Sequence, residues 1–260
     1  MNLHAVNAII FDGQISGSYA FNANEFETSK DWQKVRELFI NNYHSIPTGN
    51  IIINRIPKKI HQIWLGSEIP EQYARYAETW QKFHPDWDYK LWTDEDVKDI
   101  ELTKPDVYYD AVNPAMKSDI LRYEVLRQHG GLYVDTDFEC LKSFEPLRYL
   151  NFFTGIGYDG KLQLYNGLIA SIPHHPILEY LTLYVKGYKG SKGSDILNAT
   201  GANFFTQIFN KVAEGPVVAF PTDFFYPLSN KEVTNNPYEF VKPCSYAIHH
   251  WAVSWTKKRK

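Results

Sequence analysis

The stretch from residue 113 to residue 139, NPAMKSDILRYEVLRQHGGLYVDTDFE, limits the possible folds more than any other part of the chain. Asn113 is a good helix N-cap, and Pro114 suits the first helical position, where a missing N–H costs nothing. Met116, Ile120 and Tyr123, with Leu121 and Val125 beside them, recur at three- and four-residue spacing and predict a broad apolar helix face. Gly130 and Gly131 predict the stop, because glycine tolerates the left-handed backbone that closes a helix. Leu132, Tyr133 and Val134 then read as a short apolar strand. Asp135-Thr136-Asp137 follows at its C-terminal end, the edge of an α/β sheet where ligand crevices form.

The spacing of the two aspartates carries chemistry. In extended backbone alternate side chains share a face, so Asp135 and Asp137 are expected to point the same way and repel each other. A divalent cation relieves that repulsion. Mg²⁺ or Mn²⁺ takes oxygen ligands from one or two carboxylates, water and phosphates, so the pair reads as a clamp for a metal and a diphosphate. Asp119 and Arg122 lie three apart and project from one side of the helix toward the same crevice, where a carboxylate and a fork of donors can grip sugar hydroxyls. An isolated Asp-x-Asp is common turn chemistry, and an isolated Asp119–Arg122 pair is a surface ion pair; helix, Gly-Gly, strand and Asp-x-Asp in one unit are far more specific.

Residues 115–147, AMKSDILRYEVLRQHGGLYVDTDFECLKSFEPL, resemble the core of glycosyltransferase family 32, the sugar transferases with a DXD motif. IPKKIHQIWLG at 56–66, HPDWDYKLWTD at 84–94, Thr200-Gly201 and HHWAVSW at 249–255 fall in the order expected of that family, so the resemblance spans residues 56–255. The large clostridial glucosylating toxins share a similar core. The resemblance implies an α/β chain with a GT-A (Rossmann-like) mixed central sheet flanked by helices over residues 55–260, and leaves residues 1–54 as an N-terminal accessory segment. It implies transfer of a hexose or N-acetylhexosamine, with retention of configuration, from a UDP- or GDP-sugar to a saccharide, glycolipid or protein hydroxyl, assisted by Mn²⁺ or Mg²⁺. Glycan or polysaccharide biosynthesis is the expected setting. In the family's view of retention, the acceptor attacks from the front face and the departing phosphate takes its proton.

Carried over residue by residue, the resemblance makes Asp119, Arg122, Asp135 and Asp137 the catalytic set. The donor is expected to meet Ile63, Trp64, Asp119, Arg122, Tyr123, Asp135, Thr136, Asn166, Ser254 and Trp255, with Trp64 near the base. Thr200 and Gly201 are expected on the acceptor side, although Ala202 departs from the proline more usual there. His249 and His250 fall on opposite sides of a strand by alternation. Either can add a nitrogen to the Asp135 and Asp137 ligands, a donor more comfortable for Mn²⁺ than for Mg²⁺.

Composition excludes several classes. A net charge of −3 gives no electrostatic footprint for nucleic acid. Two cysteines, Cys140 and Cys244, provide neither a disulfide framework nor a CxxC zinc site, which fits a reducing compartment. No stretch approaches the roughly 20 apolar residues needed to span a bilayer, and no leader is evident, so a cytoplasmic enzyme is expected. The basic run Lys257, Lys258, Arg259 and Lys260 is a solvated tail or a weak peripheral contact with an anionic membrane. The 7 Trp, 18 Tyr and 16 Phe serve a core and can also stack on bases and sugar faces.

Elsewhere, Ser29 is expected to cap a helix carrying Trp32, Val35 and Phe39 that ends near Pro47, with a hairpin or loose arm around Gly13 and Gly17 before it. Strands are expected at 58–65, 89–92, 151–157, 162–171, 217–220 and 246–250, and helices at 71–84 and 177–185. Thr93 is expected to cap the acidic turn of Asp94, Glu95 and Asp96. The glycine-rich residues 186–194 form a lid candidate. Pro173-His174-His175-Pro176 reads as a turn into a helix rather than a metal site. Two other classes also fit an Asp-x-Asp: a haloacid-dehalogenase-like phosphatase, which wants Thr or Val where Glu139 stands, and a sugar-binding module without catalysis.

Overall fold

The computed structural model describes residues 2–17, 22–44, 54–158, 161–190, 192–231 and 236–252. Ser254, Trp255 and the basic run from Lys257 to Lys260 lie outside the described residues. The chain opens on three helices, α1 (Leu3–Ser16), α2 (Ala23–Thr28) and α3 (Lys30–Asn42). There follow β1 (Lys59–Ile63), α4 (Glu71–Phe83), β2 (Asp88–Trp92), α5 (Pro105–Asp110), α6 (Pro114–His129), β3 (Gly131–Val134) and β4 (Phe138–Cys140). The second half runs β5 (Phe152–Tyr158), β6 (Leu162–Ser171), α7 (Pro176–Tyr184), α8 (Gly193–Ala199), α9 (Ala202–Val212), β7 (Val217–Phe220), α10 (Thr222–Phe225) and β8 (Ala247–His249).

Six strands form one mixed sheet in the order β2-β1-β3-β6-β5-β7, and β4 pairs with β8 in a separate ribbon. β1, β2 and β3 are parallel, β6 runs antiparallel to both β3 and β5, and β7 is parallel to β5. This is the mixed α/β architecture the resemblance implied. Helix α6 packs against β1, β3 and β6, and α9 against β6. The α6 residues from Ile120 to Leu126 are all buried, so this helix is enclosed on every side and does not show the broad apolar face that the three- and four-residue spacing predicts. Polar Asp119, Arg122 and Glu124 must therefore find partners inside the protein.

The α6 to β3 corner depends on its two glycines. Gly130 and Gly131 have φ of +60° and +98°, values that L side chains rarely adopt. A Cβ on Gly131 would also lie 2.7 Å from the Lys59 carbonyl oxygen of β1. The tight turn delivers β3 beside β1, with both C-terminal ends at one edge of the sheet.

Several expectations need correcting. The segment around Gly13 and Gly17 is helix α1, not a hairpin or loose arm. Ser29 does cap α3, accepting from the Trp32 N–H, but the helix ends at Asn42, before Pro47, which lies outside the described residues. Residues Phe11, Ile15, Trp32, Val35 and Phe39 are fully buried in the same hydrophobic core as the sheet, with α3 against β7. At Thr93 the cap is reversed: its N–H and hydroxyl both donate to the Asp96 carboxylate. His175 caps α7 with a ring nitrogen accepting from the Ile177 N–H, as the turn reading required. Part of the lid candidate is helical, since α8 starts at Gly193.

Candidate active site

A cleft of about 860 Å³ opens at the sheet edge where β1 and β3 end. Its walls include Ile63, Trp64, Asp119, Arg122, Asp135, Thr136, Asp137, Asn166, Gly201 and His249. Most of the residues singled out from sequence therefore converge on one cavity.

Asp135 and Asp137 do converge, but not through strand alternation. β3 ends at Val134, and Asp135 begins a turn in which the Phe138 N–H donates to the Asp135 carbonyl. Strand β8 then pairs antiparallel with β4 and sets His249 opposite Phe138. Ligand atoms from Asp135, Asp137 and His249 thereby come within 4.8 Å of one another. His249 Nε2 lies 3.0 Å from Asp137 Oδ1, and the Ala252 N–H donates to Asp137 Oδ2 at 2.9 Å. That second bond requires the chain to turn sharply at Trp251, which adopts φ +54°. The Trp251 indole N–H donates to the Leu228 carbonyl and holds the turn.

His250 takes no part in this group. Its ring faces the other way, with Nε2 3.0 Å from Glu139 Oε2, and stacks on Tyr76 at 4.4 Å. Strand alternation thus holds, and it places His249 with the aspartates and His250 outside the cleft.

Behind the turn, Arg122 links the carboxylates. Its Nη2 lies 3.2 Å from Asp119 Oδ1 and its Nη1 3.2 Å from Asp135 Oδ1. It also donates to the Asn166 carbonyl and stacks over the Tyr133 ring at 4.6 Å. The Tyr133 hydroxyl donates to Asp135 Oδ1 at 2.7 Å. Asp119 accepts from Asn166 Nδ2 and from the Thr200 hydroxyl, each at 2.8 Å. Every group in the chain from Thr200 to Tyr133 is thus oriented by at least one neighbour.

Asn166 reaches this network because β6 bulges. Pairing with β5 jumps from Thr154 opposite Ile169 to Gly155 opposite Tyr165, which leaves Asn166, Gly167 and Leu168 as extra residues. Such a bulge redirects a side chain, and here Thr154 Oγ1 bridges it, 3.0 and 2.9 Å from the Tyr165 and Leu168 carbonyls.

The environments of the carboxyls differ. Burial raises Asp119 above the ordinary carboxyl range, against the pull of Arg122. Burial likewise raises Asp135, although Arg122 opposes it and 30% of the side chain stays open to the cleft, where solvent tempers the push. At Asp137 burial also pushes upward, but His249 and the Ala252 N–H overcome it and hold the carboxyl below its usual value. Arg122 is raised despite its burial, Asp135 being the largest opposing influence.

Some expected contacts are structural supports instead. Tyr123 is fully buried, donates to the Thr200 carbonyl, and accepts from Asn166, so it cannot meet a donor. Thr200 is also fully buried and is used up on Asp119; of the acceptor-side pair only Gly201 lines the cleft. Trp64 lines it with its indole N–H committed to Ser67 Oγ and the Glu68 carbonyl. Unforeseen wall residues include Tyr165, Gly167, Tyr226, Trp251 and Ala252. A glycine inside a strand pattern, as at Gly167, is the one sequence signal that could have pointed to the bulge.

The residues fit a divalent cation. Three carboxylates and one guanidinium leave the site formally two charges negative, and the oxygen-rich donor set with a single imidazole suits Mn²⁺ or a similar ion. His249 Nδ1 is buried with no partner in the protein, so the ring is not consumed by structural bonding at both nitrogens.

Residues 70–153 match the family model described as a glycosyltransferase sugar-binding region containing a DXD motif. The chain is 26% identical over 209 residues to mannosyl phosphorylinositol ceramide synthase CSH1 of Saccharomyces cerevisiae, covering 75% of this chain and 50% of that protein. It is 27% identical over 220 residues to the uncharacterized glycosyltransferase L373 of Acanthamoeba polyphaga mimivirus, covering 79% of this chain and 86% of that one. Among solved structures, the PaToxG glycosyltransferase aligns with 60% of this chain and 69% of its own at a TM-score of 0.49 and 21% identity. The chain spans half or less of the length of the curated inositol phosphoceramide relatives it matches.

Proposed function

We propose, for a chain that belongs with the glycosyltransferases whose sugar-binding region contains a DXD motif, that it moves a hexose or N-acetylhexosamine from a UDP- or GDP-sugar to a hydroxyl acceptor with retention of configuration. The observation that carries this reading is the convergence of Asp135, Asp137 and His249 on the floor of the cleft, beside Arg122 and Asp119. The relatives named for mannosyl transfer to inositol phosphoceramide make mannose the first sugar to test, and a glycolipid the first acceptor, ahead of saccharide or protein. Glycan or glycolipid synthesis is the setting. Cys140 and Cys244 are free, in keeping with a reducing compartment such as the cytoplasm. No helix of the described residues is long and apolar enough to cross a membrane.

Asp135, Asp137 and His249 would hold the cation, which when bound neutralises charge building on the diphosphate as the anomeric bond breaks. Asp119 and Arg122 orient the sugar, and the bonds from Thr200, Asn166 and Ser118 keep both side chains in one rotamer without reorganisation during reaction. Among the described residues the carboxylates lining the cleft are Asp119, Asp135 and Asp137, each bonded within the protein. With those three assigned to the sugar and the cation, the reading is front-face attack by the acceptor, whose proton passes to the departing phosphate. Ser254 and Trp255 are assigned to the diphosphate by resemblance alone.

The test is a panel of UDP- and GDP-sugars assayed for Mn²⁺-dependent hydrolysis and transfer. Asp137→Ala is expected to lower turnover at least about a hundredfold while leaving the circular dichroism spectrum close to wild type. Full activity in that variant at saturating donor would refute the assignment.

A further inference from the structure

Among the described residues, two buried polar atoms on side chains that line the cleft lack any hydrogen-bond partner, His249 Nδ1 and the Tyr226 hydroxyl. Tyr226 is 4% exposed and comes from a part of the chain to which neither the motifs nor the resemblance gave a role. Its ring sits in a built slot. It lies edge-on to Phe138 at 5.2 Å and to His249 at 5.7 Å, the residues that flank the carboxylate turn. On the other side Gly155 leaves it room, since a Cβ there would fall 2.5 Å from the Tyr226 ring. Tyr165 and Trp251 complete the wall at 5.0 and 6.1 Å.

A fold gains nothing by closing a phenol from water with its hydroxyl unmet. Phenylalanine would fill the same slot without that cost, and buried polar groups are otherwise almost always bonded. The neighbouring Tyr133 shows the contrast, because its hydroxyl is used on Asp135. An orphaned donor next to a cation-binding cluster matches a ligand with acceptor-only oxygens.

We propose that the Tyr226 hydroxyl donates a hydrogen bond to a diphosphate oxygen of the nucleotide sugar. The assignment rests on the donor reading above and adds a ligand contact to it. Tyr226 then acts after the metal ligands, selecting the bound position of the diphosphate against the carboxylate turn. Trp251 packs on both the Tyr226 ring and the His249 ring, at 6.1 and 4.2 Å, and so ties the slot to the carboxylate–imidazole group.

The experiment uses the full chain and compares wild type with Tyr226→Phe in two measurements. The first is thermal unfolding without nucleotide. The second is calorimetric titration with UDP, GDP, UDP-glucose and GDP-mannose in the presence of Mn²⁺. The variant is expected to unfold at the same or a higher temperature, and to bind the preferred nucleoside diphosphate about tenfold or more weakly, with the same loss for that diphosphate and its sugar. Affinity within twofold of wild type overturns the proposal, and so does a loss seen only with the sugar. A drop in the unfolding temperature overturns it too, because the hydroxyl then serves the fold. Wild type that binds none of the four overturns the donor reading itself, whereas tight binding by wild type and Tyr226→Phe but not by Asp137→Ala removes only the role given to Tyr226.

Discussion

Gly167 decides where one carboxylate oxygen can sit. A Cβ at this position would lie 2.6 Å from Asp135 Oδ2, although its φ lies outside the left-handed range that disfavours a side chain. Gly167→Ala is therefore expected to rotate the Asp135 carboxylate away from Asp137 and lower Mn²⁺ affinity by about ten- to a hundredfold, the range typical of disturbed ligand supports. Calorimetric Mn²⁺ titration checks it, with unchanged affinity counting against the cluster. The roles of neighbouring residues were only partly legible in sequence. Asp119, Arg122, Asp135 and Asp137 have charges that demand an explanation wherever they fall, and the structure brings all four together. Tyr123 and Thr200 carry hydroxyls beside the same motifs, yet both face inward and support Asn166 and Asp119. A hydroxyl that touches a ligand and one that steadies the residue touching it leave the same mark in one dimension. The choice between His249 and His250 likewise waits on which face of β8 meets β4.

At the scale of elements, the site depends on how β3 is launched. Gly131→Ala combines a φ of +98° with a backbone clash against Lys59 of β1. It is expected to cost about 2 to 4 kcal/mol, read as a lower urea midpoint with an unchanged slope; a shift below about 0.5 kcal/mol would show that β1 and β3 can separate freely. The helix, glycine corner and strand were readable because caps, periodicity and glycine all agree over one stretch. Helix α1 was not. Leu3, Val6 and Ile9 are exposed while Phe11 and Ile15 are buried, so apolar residues lie on both sides and blur the pattern. Gly13 stands in its interior and reads as a break. The β6 bulge was hidden for a different reason. Its extra residues exist only relative to β5, and a register mismatch has no signature within a single strand.

Over the whole molecule, one hydrophobic core joins helices α1 and α3 to the sheet, and two buried histidines, His61 and His175, make stability depend on pH. His61 Nδ1 accepts from the Trp92 indole and its Nε2–H donates to the Gly130 carbonyl, which fixes the neutral ring. Burial depresses His61 to about 3 and His175 to about 4. With folded values below the unfolded one near 6.5, both states are neutral at pH 7 and above. As pH falls below about 6.5 the unfolded chain takes up protons that the fold refuses. Stability is expected to fall by up to about 1.4 kcal/mol per pH unit for each histidine, levelling off only near pH 4 and then 3. Urea unfolding between pH 7.5 and 4.5 of wild type and His175→Phe isolates the imidazole share, because the raised Asp119 and Asp135 carboxyls act in the opposite direction; equal slopes in the two proteins would mean that His175 is not held neutral.

The short ribbon of β4 and β8 carries one last implication. It joins residues more than a hundred positions apart, yet contributes no strand to the six-stranded sheet. During synthesis every pairing of the main sheet is available once Phe220 has left the ribosome, while the proposed cation cradle still lacks its imidazole and the amide that steadies Asp137. Competence for metal thus arrives last, and a nick just ahead of β8 can disarm the protein while its main sheet stays paired.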